Sequence, residues 1–432
     1  MTDRVVILAG GKGTRLNPLT QARPKPSVYI GGNKRFGEYP MDMALKAGYV
    51  DFYMVVEHMG HEIEKNFHDG TNFRYEVEKQ PVPIRIRYVK APRGKKSEGT
   101  ADALRIARPY LADSIIARDK TIGSGAAVDL DTLNRDRQKY DKLTYVENYD
   151  AVVVLSADHV SGLDLSELVR FHKARGSFAT LGIIEASPER IAGNLGEVGY
   201  DVETGLVTYF GEKPRTAAEV KHRTGSTGIY VLDRAMMKWL DEHPKLLDFA
   251  NEVFPALLND PVLKNSVNAH VLHGYWNDVG TLNEYLTTSM QLIDGIDGVD
   301  VRSHRVRVQE NSRVLGKMSR NLIGQGCYVG PNVEVTGSIL CNDIQIQGSD
   351  SKHPTSIDSS VLFHNVVIGS GVDLVGVISD SDVTIESGAS IGKGAVIGKG
   401  TTIRSGARIG KGVIIGMGNV ITGKVNEGEV VD

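Results

Sequence analysis

In the first 300 residues, short apolar runs alternate with stretches whose hydrophobic residues recur at helical spacing. Short apolar runs lie at residues 5–9, 52–56, 84–89, 151–156 and 179–184, and they predict buried β-strands. Between several runs, apolar residues recur at helical spacing, as in residues 164–175, where Gly176 follows as a stop signal. Alternating strands and helices predict an α/β fold, in which a mostly parallel sheet carries helices on both faces.

A strict six-residue repeat occupies the C-terminal part of the chain. Isoleucine stands in one register at seven positions, with glycines between them: Ile385, Ile391, Ile397, Ile403, Ile409, Ile415 and Ile421. This period predicts a left-handed parallel β-helix, whose glycines allow tight corners. We expect it to begin near Ser303, with residues 342–360 as a loop excursion. The predicted domains are therefore residues 1–300 and 301–432.

One long connection interrupts the alternating pattern. Residues 113–150 are rich in charge and glycine and lie between a helical pattern and a strand. Because ordinary connections are much shorter, we interpret them as a lid, an added surface element or a partly disordered segment.

Composition narrows the class of protein. Lysine and arginine number 50 against 53 acidic residues, a net charge of −3, which predicts neither nucleic acid nor membranes as partners. The apolar runs at residues 5–9 and 151–155 are each only five residues long. Because this is too short for a transmembrane helix or for the core of a signal peptide, we expect a cytoplasmic protein. The two cysteines, Cys327 and Cys341, are interpreted as free buried thiols.

A glycine-rich turn follows the first predicted strand. Residues 8–16 read LAGGKGTRL and match neither the dinucleotide-binding nor the P-loop pattern. Residues 4–37 contain seven basic and no acidic residues, which indicates an anionic ligand. The alternative is an ordinary strand turn with a solvated basic face. We predict that the turn binds a polyphosphate through its amides.

Several motifs together resemble the sugar-nucleotide pyrophosphorylase family. Besides the turn and the RPKP run at residues 23–26, they lie at residues 99–103, 156–159, 210–214, 226–230 and 274–281. The resemblance implies a Rossmann-like catalytic domain followed by a β-helix. It implies an Mg²⁺-dependent nucleotidyltransferase, and the motifs look most like those of the branch that makes ADP-glucose and pyrophosphate from ATP and α-D-glucose 1-phosphate for glycogen or another α-glucan.

Catalysis of this reaction requires charge neutralisation around the α-phosphorus. We assign Arg15 to the leaving β,γ-phosphates and Lys25 to the α-phosphate or the incoming sugar phosphate. Asp158 and Asp278 are the candidate Mg²⁺ ligands, because Mg²⁺ takes one or two carboxylates together with phosphate. Taken alone, either aspartate is more simply interpreted as a turn residue.

Further site residues follow from the resemblance alone. It implies that the polyphosphate bound by the turn belongs to a nucleotide, with these candidate residues: Leu8, Ala9, Gly10, Gly11, Gly13 and Thr14. It also implies that Gly99 and Thr100 border the base. The remaining candidates are assigned to the sugar phosphate, together with Asp278: Gly196, Glu212, Lys213 and Ser226.

Three alternatives remain open. The first is a nucleotidyltransferase that uses GTP, UTP or dTTP, such as a mannose-1-phosphate guanylyltransferase. The second is an acyltransferase with His353 or His364 as its base, since β-helices often carry that activity. The third is a non-catalytic regulatory subunit, against which the intact charged residues argue. The family resemblance implies a homotetramer.

Overall fold

The computed structural model describes residues 3–71, 73, 75–77, 80–92, 95–121, 123–299, 312–350 and 352–432. The chain forms two compact units. Unit 1 comprises Met1–Gly10, Pro40–Ala157 and Leu163–Trp276, and unit 2 comprises Gly11–Tyr39, Asp158–Gly162 and Asn277–Asp432. Each unit is therefore assembled from three separate stretches of the chain.

The first sixteen strands and all described α-helices precede the solenoid. The strands are β1 (Arg4–Leu8), β2 (Asp51–Val56), β3 (Tyr75–Val77), β4 (Gln80–Val82), β5 (Arg85–Lys90), β6 (Ser114–Asp119), β7 (Gly125–Val128), β8 (Tyr140–Val146), β9 (Ala151–Ser156), β10 (His159–Ser161), β11 (Ala179–Glu185), β12 (Glu197–Tyr200), β13 (Val207–Gly211), β14 (Thr224–Asp233), β15 (Val267–Val271) and β16 (Trp276–Asp278). The helices are α1 (Glu38–Lys46), α2 (Gly60–Phe67), α3 (Thr100–Leu111), α4 (Leu130–Asp136), α5 (Leu165–Arg175), α6 (Pro188–Ile191), α7 (Arg234–Glu242), α8 (Phe254–Asn259) and α9 (Leu282–Asp294).

Unit 1 is built on a nine-stranded sheet. Its main path is β13-β12-β14-β9-β1-β2-β5, and β11 joins β14 to β15. Strands β9, β1, β2 and β5 are mutually parallel, whereas β14 runs antiparallel to β9 and β11. Because Leu8 is aligned with Ser156, the chain leaves β1 and β9 at the same edge of the sheet. The predicted α/β fold and all five predicted strands are confirmed.

Alternate residues of the central strands pack into two separate cores. Val5 and Ile7 face one core with helix α5, whereas Val6 faces the other with helices α3 and α7. Burial of both faces explains why these strands read as continuous apolar runs. Helix α5 begins at the predicted position, where the Asp164 carboxylate accepts a hydrogen bond from the Ser166 N–H, and ends at Gly176 in the left-handed conformation.

The long connection at residues 113–150 contains regular structure of its own. Strands β7, β6 and β8 form a three-stranded antiparallel sheet, and α4 lies between β7 and β8. Of the three interpretations, an added folded element agrees with the described residues.

The C-terminal part of unit 2 is a parallel β-helix, as predicted. Its strands are β17 (Arg313–Val314), β18 (Lys317–Ser319), β19 (Leu322–Ile323), β20 (Tyr328–Val329), β21 (Val333–Thr336), β22 (Ile339–Leu340), β23 (Gln345–Ile346), β24 (Thr355–Asp358), β25 (Val361–Leu362), β26 (Val367–Ile368), β27 (Asp373–Val375), β28 (Ile378–Ser379), β29 (Thr384–Ile385), β30 (Ser390–Ile391), β31 (Val396–Ile397), β32 (Thr402–Ile403), β33 (Arg408–Ile409), β34 (Ile414–Ile415), β35 (Val420–Ile421), β36 (Lys424–Val425) and β37 (Val430–Val431).

Every third strand of the β-helix stacks in the same sheet. Ile385 is therefore aligned with Ile403, and Ile403 with Ile421, whereas Ile391 is aligned with Ile409 in a different sheet. Each isoleucine of the repeat ends one short strand, and most of these side chains are buried in one apolar core. The six-residue period is thus the spacing from one sheet to the next.

Two expectations for the β-helix have different outcomes. The prediction of a loop excursion at residues 342–360 is wrong, because β23 and β24 lie in this range and pair with neighbouring coils. The departure from the repeat is confined to the stretch between these two strands. The expectation missed these coils because their spacing is irregular. The boundary between residues 300 and 301, and the start near Ser303, lie outside the described residues.

Both cysteines are free and buried, as predicted. Among the described helices, none is both long enough and apolar enough to cross a membrane.

Core packing of the β-helix gives a first prediction. Ile403 is fully buried, whereas Val420 in the next coil of the same sheet is 58% exposed. Ile403→Ala should lower the free energy of unfolding by about 2–5 kcal/mol through lost burial and a residual cavity. Val420→Ala should change it by no more than about 0.5 kcal/mol. Urea denaturation followed by circular dichroism measures both, and equal losses would contradict this packing.

Candidate functional site

The glycine-rich turn brings its backbone against Lys25 in unit 2. Gly13 has a φ of 63°, and a Cβ atom built on it would lie 2.8 Å from the Lys25 Cβ. Its carbonyl oxygen accepts hydrogen bonds from the Thr20 hydroxyl at 3.0 Å and the Leu16 N–H at 2.9 Å. Glycine is therefore required at position 13 by both its conformation and the close approach.

Lys25 lies between the two predicted metal-binding aspartates. Its Nζ is 3.3 Å from the Asp158 Oδ2 and 3.3 Å from the Asp278 Oδ1. The lysine side chain is only 8% exposed, whereas the side chains of Asp158 and Asp278 are 42% and 33% exposed. The carboxylates thus remain accessible to a ligand while the cation is buried behind them. We call these three residues the charge cluster.

Local structure explains how two distant aspartates meet. Asp158 immediately precedes β10, Asp278 ends β16, and these two short strands pair with each other. Lys25 begins a 3-10 turn, Lys25–Ser27, and its ammonium also lies 5.5 Å from the centre of the Phe36 ring. Three segments far apart in sequence therefore build the charge cluster.

Burial and charge shift two pKa values at the charge cluster. Burial and the nearby negative charge of Asp158 raise the pKa of Asp278, and Lys25 and Arg15 oppose this shift. Burial lowers the pKa of His159 to about 4, so this histidine is neutral near pH 7. The pKa of Asp278 is therefore raised chiefly because burial disfavours its charged form.

Arg15 lies beside Gly280 at the entry to helix α9. A Cβ atom built on Gly280 would lie 3.0 Å from an Arg15 guanidinium nitrogen. The helix start is fixed by a capping box, in which the Thr281 hydroxyl accepts from the Glu284 N–H and the Glu284 carboxylate accepts from the Thr281 N–H. Arg15 itself is exposed, so its guanidinium can reach an anion.

The donor chemistry of the charge cluster fits Mg²⁺. Two accessible carboxylates already share one cation, and Mg²⁺ in nucleotide sites takes one or two carboxylates with water and phosphate oxygens. Across the described ranges of the chain, no group of three or more His, Cys, Asp or Glu side chains could hold a metal ion. The charge cluster is thus suited to a cation that arrives with phosphates, and not to a closed structural metal site.

The predicted base-binding residues lie in unit 1 at the start of helix α3. A Cβ atom on Gly99 would lie 2.4 Å from the Leu247 carbonyl oxygen. The Thr100 hydroxyl donates to the Asp248 carboxylate at 3.0 Å and accepts from the Phe249 N–H at 3.0 Å. Both residues therefore hold residues 247–249 in place, a structural task that the motif alone did not indicate.

The predicted sugar-phosphate residues of unit 1 form a compact group. A Cβ atom on Gly196 would lie 2.8 Å from the Glu212 Oε2, and the Gly196 carbonyl accepts from the Ser226 N–H at 2.8 Å. Lys213 lies 3.5 Å from Glu212 and has a φ of 44°, a strained conformation for a lysine. Burial raises the pKa of Glu212, while Lys213 opposes the shift.

Two further residues belong beside this group and were not predicted. The buried Tyr230 has its hydroxyl 3.5 Å from the Ser226 hydroxyl. Burial raises the pKa of Tyr230, and the charges of Glu212 and Asp248 add to this rise, which places Asp248 near the same group. Asp248 lies outside every motif. Tyr230 is the last residue of the motif at residues 226–230, in which only Ser226 was assigned a role.

The remaining predicted nucleotide-binding residues are divided between the units. Leu8, Ala9 and Gly10 belong to unit 1, where the Ala9 N–H donates to the Val55 carbonyl at 2.9 Å. Gly11 and Thr14 belong to unit 2, and no atom lies within 4 Å of a Cβ built on Gly11.

The two histidines proposed as acyltransferase bases both lie in the C-terminal part of unit 2. His364 accepts a hydrogen bond from the Asn342 N–H at 3.2 Å and lies 4.4 Å from the Tyr29 ring, and burial lowers its pKa to about 4. His353 is exposed and lies 3.5 Å from Asp350. The Nε2 of His364 is buried and has no hydrogen-bond partner among the described residues. Neither histidine lies in a sequence motif that indicates acyl transfer.

Comparisons with known proteins agree with the sequence motifs. The nucleotidyl transferase family matches residues 4–124 and 139–295. The bacterial transferase hexapeptide family matches residues 381–423, and the GlmU-like C-terminal hexapeptide family matches residues 305–397. The gap at residues 125–138 falls within the added element at residues 113–150.

Several similar curated proteins carry the same name. A glucose-1-phosphate adenylyltransferase of Clostridium botulinum (strain Alaska E43 / Type E3) is 27% identical over 373 residues, which cover 84% of this chain and 81% of the relative. Proteins of the same name from Fervidobacterium nodosum and Thermosipho melanesiensis are each 25% identical, over 90% and 85% of this chain and 85% and 76% of the relatives. The family match spans well over half of the residues, including every predicted catalytic position, and the chain therefore belongs to the nucleotidyl transferase family and is a nucleotidyltransferase enzyme.

Proposed function

We propose that the protein transfers the adenylyl group of ATP to α-D-glucose 1-phosphate, forming ADP-glucose and pyrophosphate with Mg²⁺ as cofactor. The observation that carries the reaction is the charge cluster, in which buried Lys25 is shared by two accessible aspartates beside the glycine-rich turn. The choice of ATP and glucose 1-phosphate rests on the name of the similar proteins.

The reaction forms one bond and breaks one at the α-phosphorus. A phosphate oxygen of the sugar phosphate attacks the α-phosphorus, and the bond to the oxygen of the β-phosphate breaks, so that pyrophosphate leaves. Both reactants are anions, and catalysis therefore depends mainly on positioning and on neutralising charge.

Four charged residues of unit 2 have a proposed part in this step. Lys25 binds the α-phosphate or the incoming sugar phosphate, exchanging a carboxylate partner for a phosphate oxygen. Arg15, which is exposed, binds the leaving β,γ-phosphates. Asp158 and Asp278 would hold Mg²⁺, and a bound Mg²⁺ supplies further positive charge and orients phosphate oxygens.

The residues of unit 1 have proposed binding roles. Glu212 accepts hydrogen bonds from sugar hydroxyls, and Lys213 pairs with the sugar phosphate. Gly196 and Ser226 complete the binding site for the sugar phosphate. Gly99 and Thr100 border the base, together with Leu8, Ala9 and Gly10 at the end of β1. We also propose a homotetramer, which light scattering of the purified protein would test.

A substrate panel tests the reaction and its specificity. ATP, GTP, UTP and dTTP are each combined with glucose 1-phosphate and mannose 1-phosphate, and pyrophosphate release is measured. We expect ATP with glucose 1-phosphate to give the highest kcat/KM, by at least roughly tenfold. Preference for GTP with mannose 1-phosphate would replace the proposed substrates, and no release with any pair would remove the proposed reaction.

The two aspartates give a second kinetic prediction. Asp158→Asn and Asp278→Asn each remove a charged oxygen from the charge cluster, so kcat should fall at least roughly 100-fold and half-saturation with Mg²⁺ should rise. Asp382→Asn, at an exposed aspartate of unit 2, is the matched control and should keep normal turnover. Near-normal kcat in Asp158→Asn with an unchanged melting temperature would show that the metal assignment is wrong.

Two glycines of the turn should respond differently to alanine. Gly13→Ala forces a Cβ atom against Lys25 at a positive φ, so both kcat and thermal stability should fall. Gly11→Ala meets no atom in the free protein, so stability should be unchanged and KM for ATP should rise as the phosphates meet the new methyl group. Equal kinetic effects of the two variants would contradict this separation.

A further inference from the structure

Arg23, two residues before Lys25, forms a buried ion pair with the β-helix. Its guanidinium donates to the Asp380 Oδ1 at 2.8 Å, and the two side chains are 11% and 0% exposed. The same oxygen accepts a hydrogen bond from the Ser381 N–H at 2.6 Å. The Asp380 Oδ2 is also buried, and among the described residues it has no hydrogen-bond partner. Arg23 is therefore the principal neutralising partner of a buried carboxylate.

The chain between Arg23 and Lys25 is stiff. Pro24 and Pro26 flank Lys25, and each proline ring fixes its own φ. The Ser27 N–H donates to the Pro24 carbonyl at 2.9 Å, and the Val28 N–H donates to the Lys25 carbonyl at 3.0 Å. These constraints limit how far the backbone between Arg23 and Lys25 can absorb a displacement of Arg23.

Several other contacts hold this segment on the β-helix. The Arg23 guanidinium lies 5.7 Å from the Phe363 ring, which also contacts Tyr29 at 6.0 Å. Further along, the Asn33 side-chain amide donates to the Asn342 side chain at 2.8 Å. Of these contacts, only the ion pair joins two charges, and it is made two residues before Lys25.

The net free energy of a buried ion pair is too small to explain this one by stability alone. Burying two charges costs nearly as much as their attraction returns, so a buried ion pair is a weak net stabiliser. A charge-assisted hydrogen bond requires a specific distance and orientation, so this ion pair is well suited to fixing the position of a chain segment. The neighbouring residue that needs a fixed position is Lys25, which must meet two carboxylates 3.3 Å away on different chain segments.

We propose that Asp380 and Arg23 are positioning residues for the transfer reaction, so that a side chain of the β-helix sets the location of the Lys25 ammonium. The proposal rests on the role of Lys25 in the proposed function. Neither Arg23 nor Asp380 contacts substrate in this account. They act through the Pro24–Lys25 backbone.

Turnover of the Asp380→Asn variant provides the first test. This substitution keeps the shape and the Ser381 hydrogen bond but removes the charge that holds Arg23. We expect kcat to fall roughly 10- to 100-fold, as for a small misplacement of a catalytic group, with KM for each substrate changed less than about twofold. Asp382→Asn, two residues away and exposed, is the matched control and should behave as the unsubstituted protein.

Chemical labelling of Lys25 gives a readout that does not depend on activity. A short pulse of acetic anhydride followed by mass spectrometry measures the acetylation rate of Lys25, with exposed Lys12 as the internal reference. In the unsubstituted protein we expect slow labelling of Lys25, with several-fold faster labelling in Asp380→Asn and no change in Asp382→Asn. This comparison stays decisive even if the substrate panel finds no transfer.

A double variant covers the case in which Asp380→Asn does not fold. Arg23→Met with Asp380→Leu removes both charges and leaves no buried charge unpaired, so the fold should persist. Low kcat and fast Lys25 labelling in the folded double variant would support the proposal. Normal kcat with unchanged labelling in any folded variant that lacks the ion pair would overturn it, as would a rise in KM without a change in kcat.

Discussion

The shared ammonium of Lys25 is the interaction on which this account depends. Two aspartates would repel each other without it, and burial of Lys25 would be unfavourable without them. One ammonium faces two carboxylates, so the charge cluster carries more negative than positive charge, and both carboxylates remain partly exposed. Such a site gains from a divalent cation for the carboxylates and a phosphate for the lysine, which are the two components that nucleotidyl transfer brings together.

The β-helix belongs to the same compact unit as the charge cluster. Unit 2 combines the turn segment, the short stretch after β9 and the whole C-terminal region. Its solenoid packs one aliphatic residue per short strand into a continuous core, which makes a stiff support. Asp380, which immediately follows β28, lies on that support and is joined to Arg23. The geometry thus assigns the repeats a direct part in holding a catalytic segment.

Local patterns predicted much of the fold. The apolar runs predicted the strands of unit 1 because both faces of that sheet are buried, and Asp164 and Gly176 marked the ends of helix α5 because capping is a local property. The isoleucine repeat predicted the β-helix from residue 385 onward. The irregular coils at residues 342–360 were missed because their inward-facing residues do not keep the six-residue spacing.

Site residues were predicted chiefly through the family resemblance, and long-range contacts lay beyond the sequence. Nothing local to Arg23 indicates a partner at Asp380, and nothing local to Gly13 indicates the approach of Lys25. Asp248 carries no motif at all. These contacts depend on how distant segments pack, which residue patterns within one segment do not contain.

A crystal structure with Mn²⁺ and a non-hydrolysable ATP analogue tests the central claim most directly. We expect Mn²⁺ to be bound by oxygens of both Asp158 and Asp278, with the Lys25 ammonium moved from at least one carboxylate onto a phosphate oxygen. Mn²⁺ and phosphates bound elsewhere, with Lys25 still held by both aspartates, would contradict it.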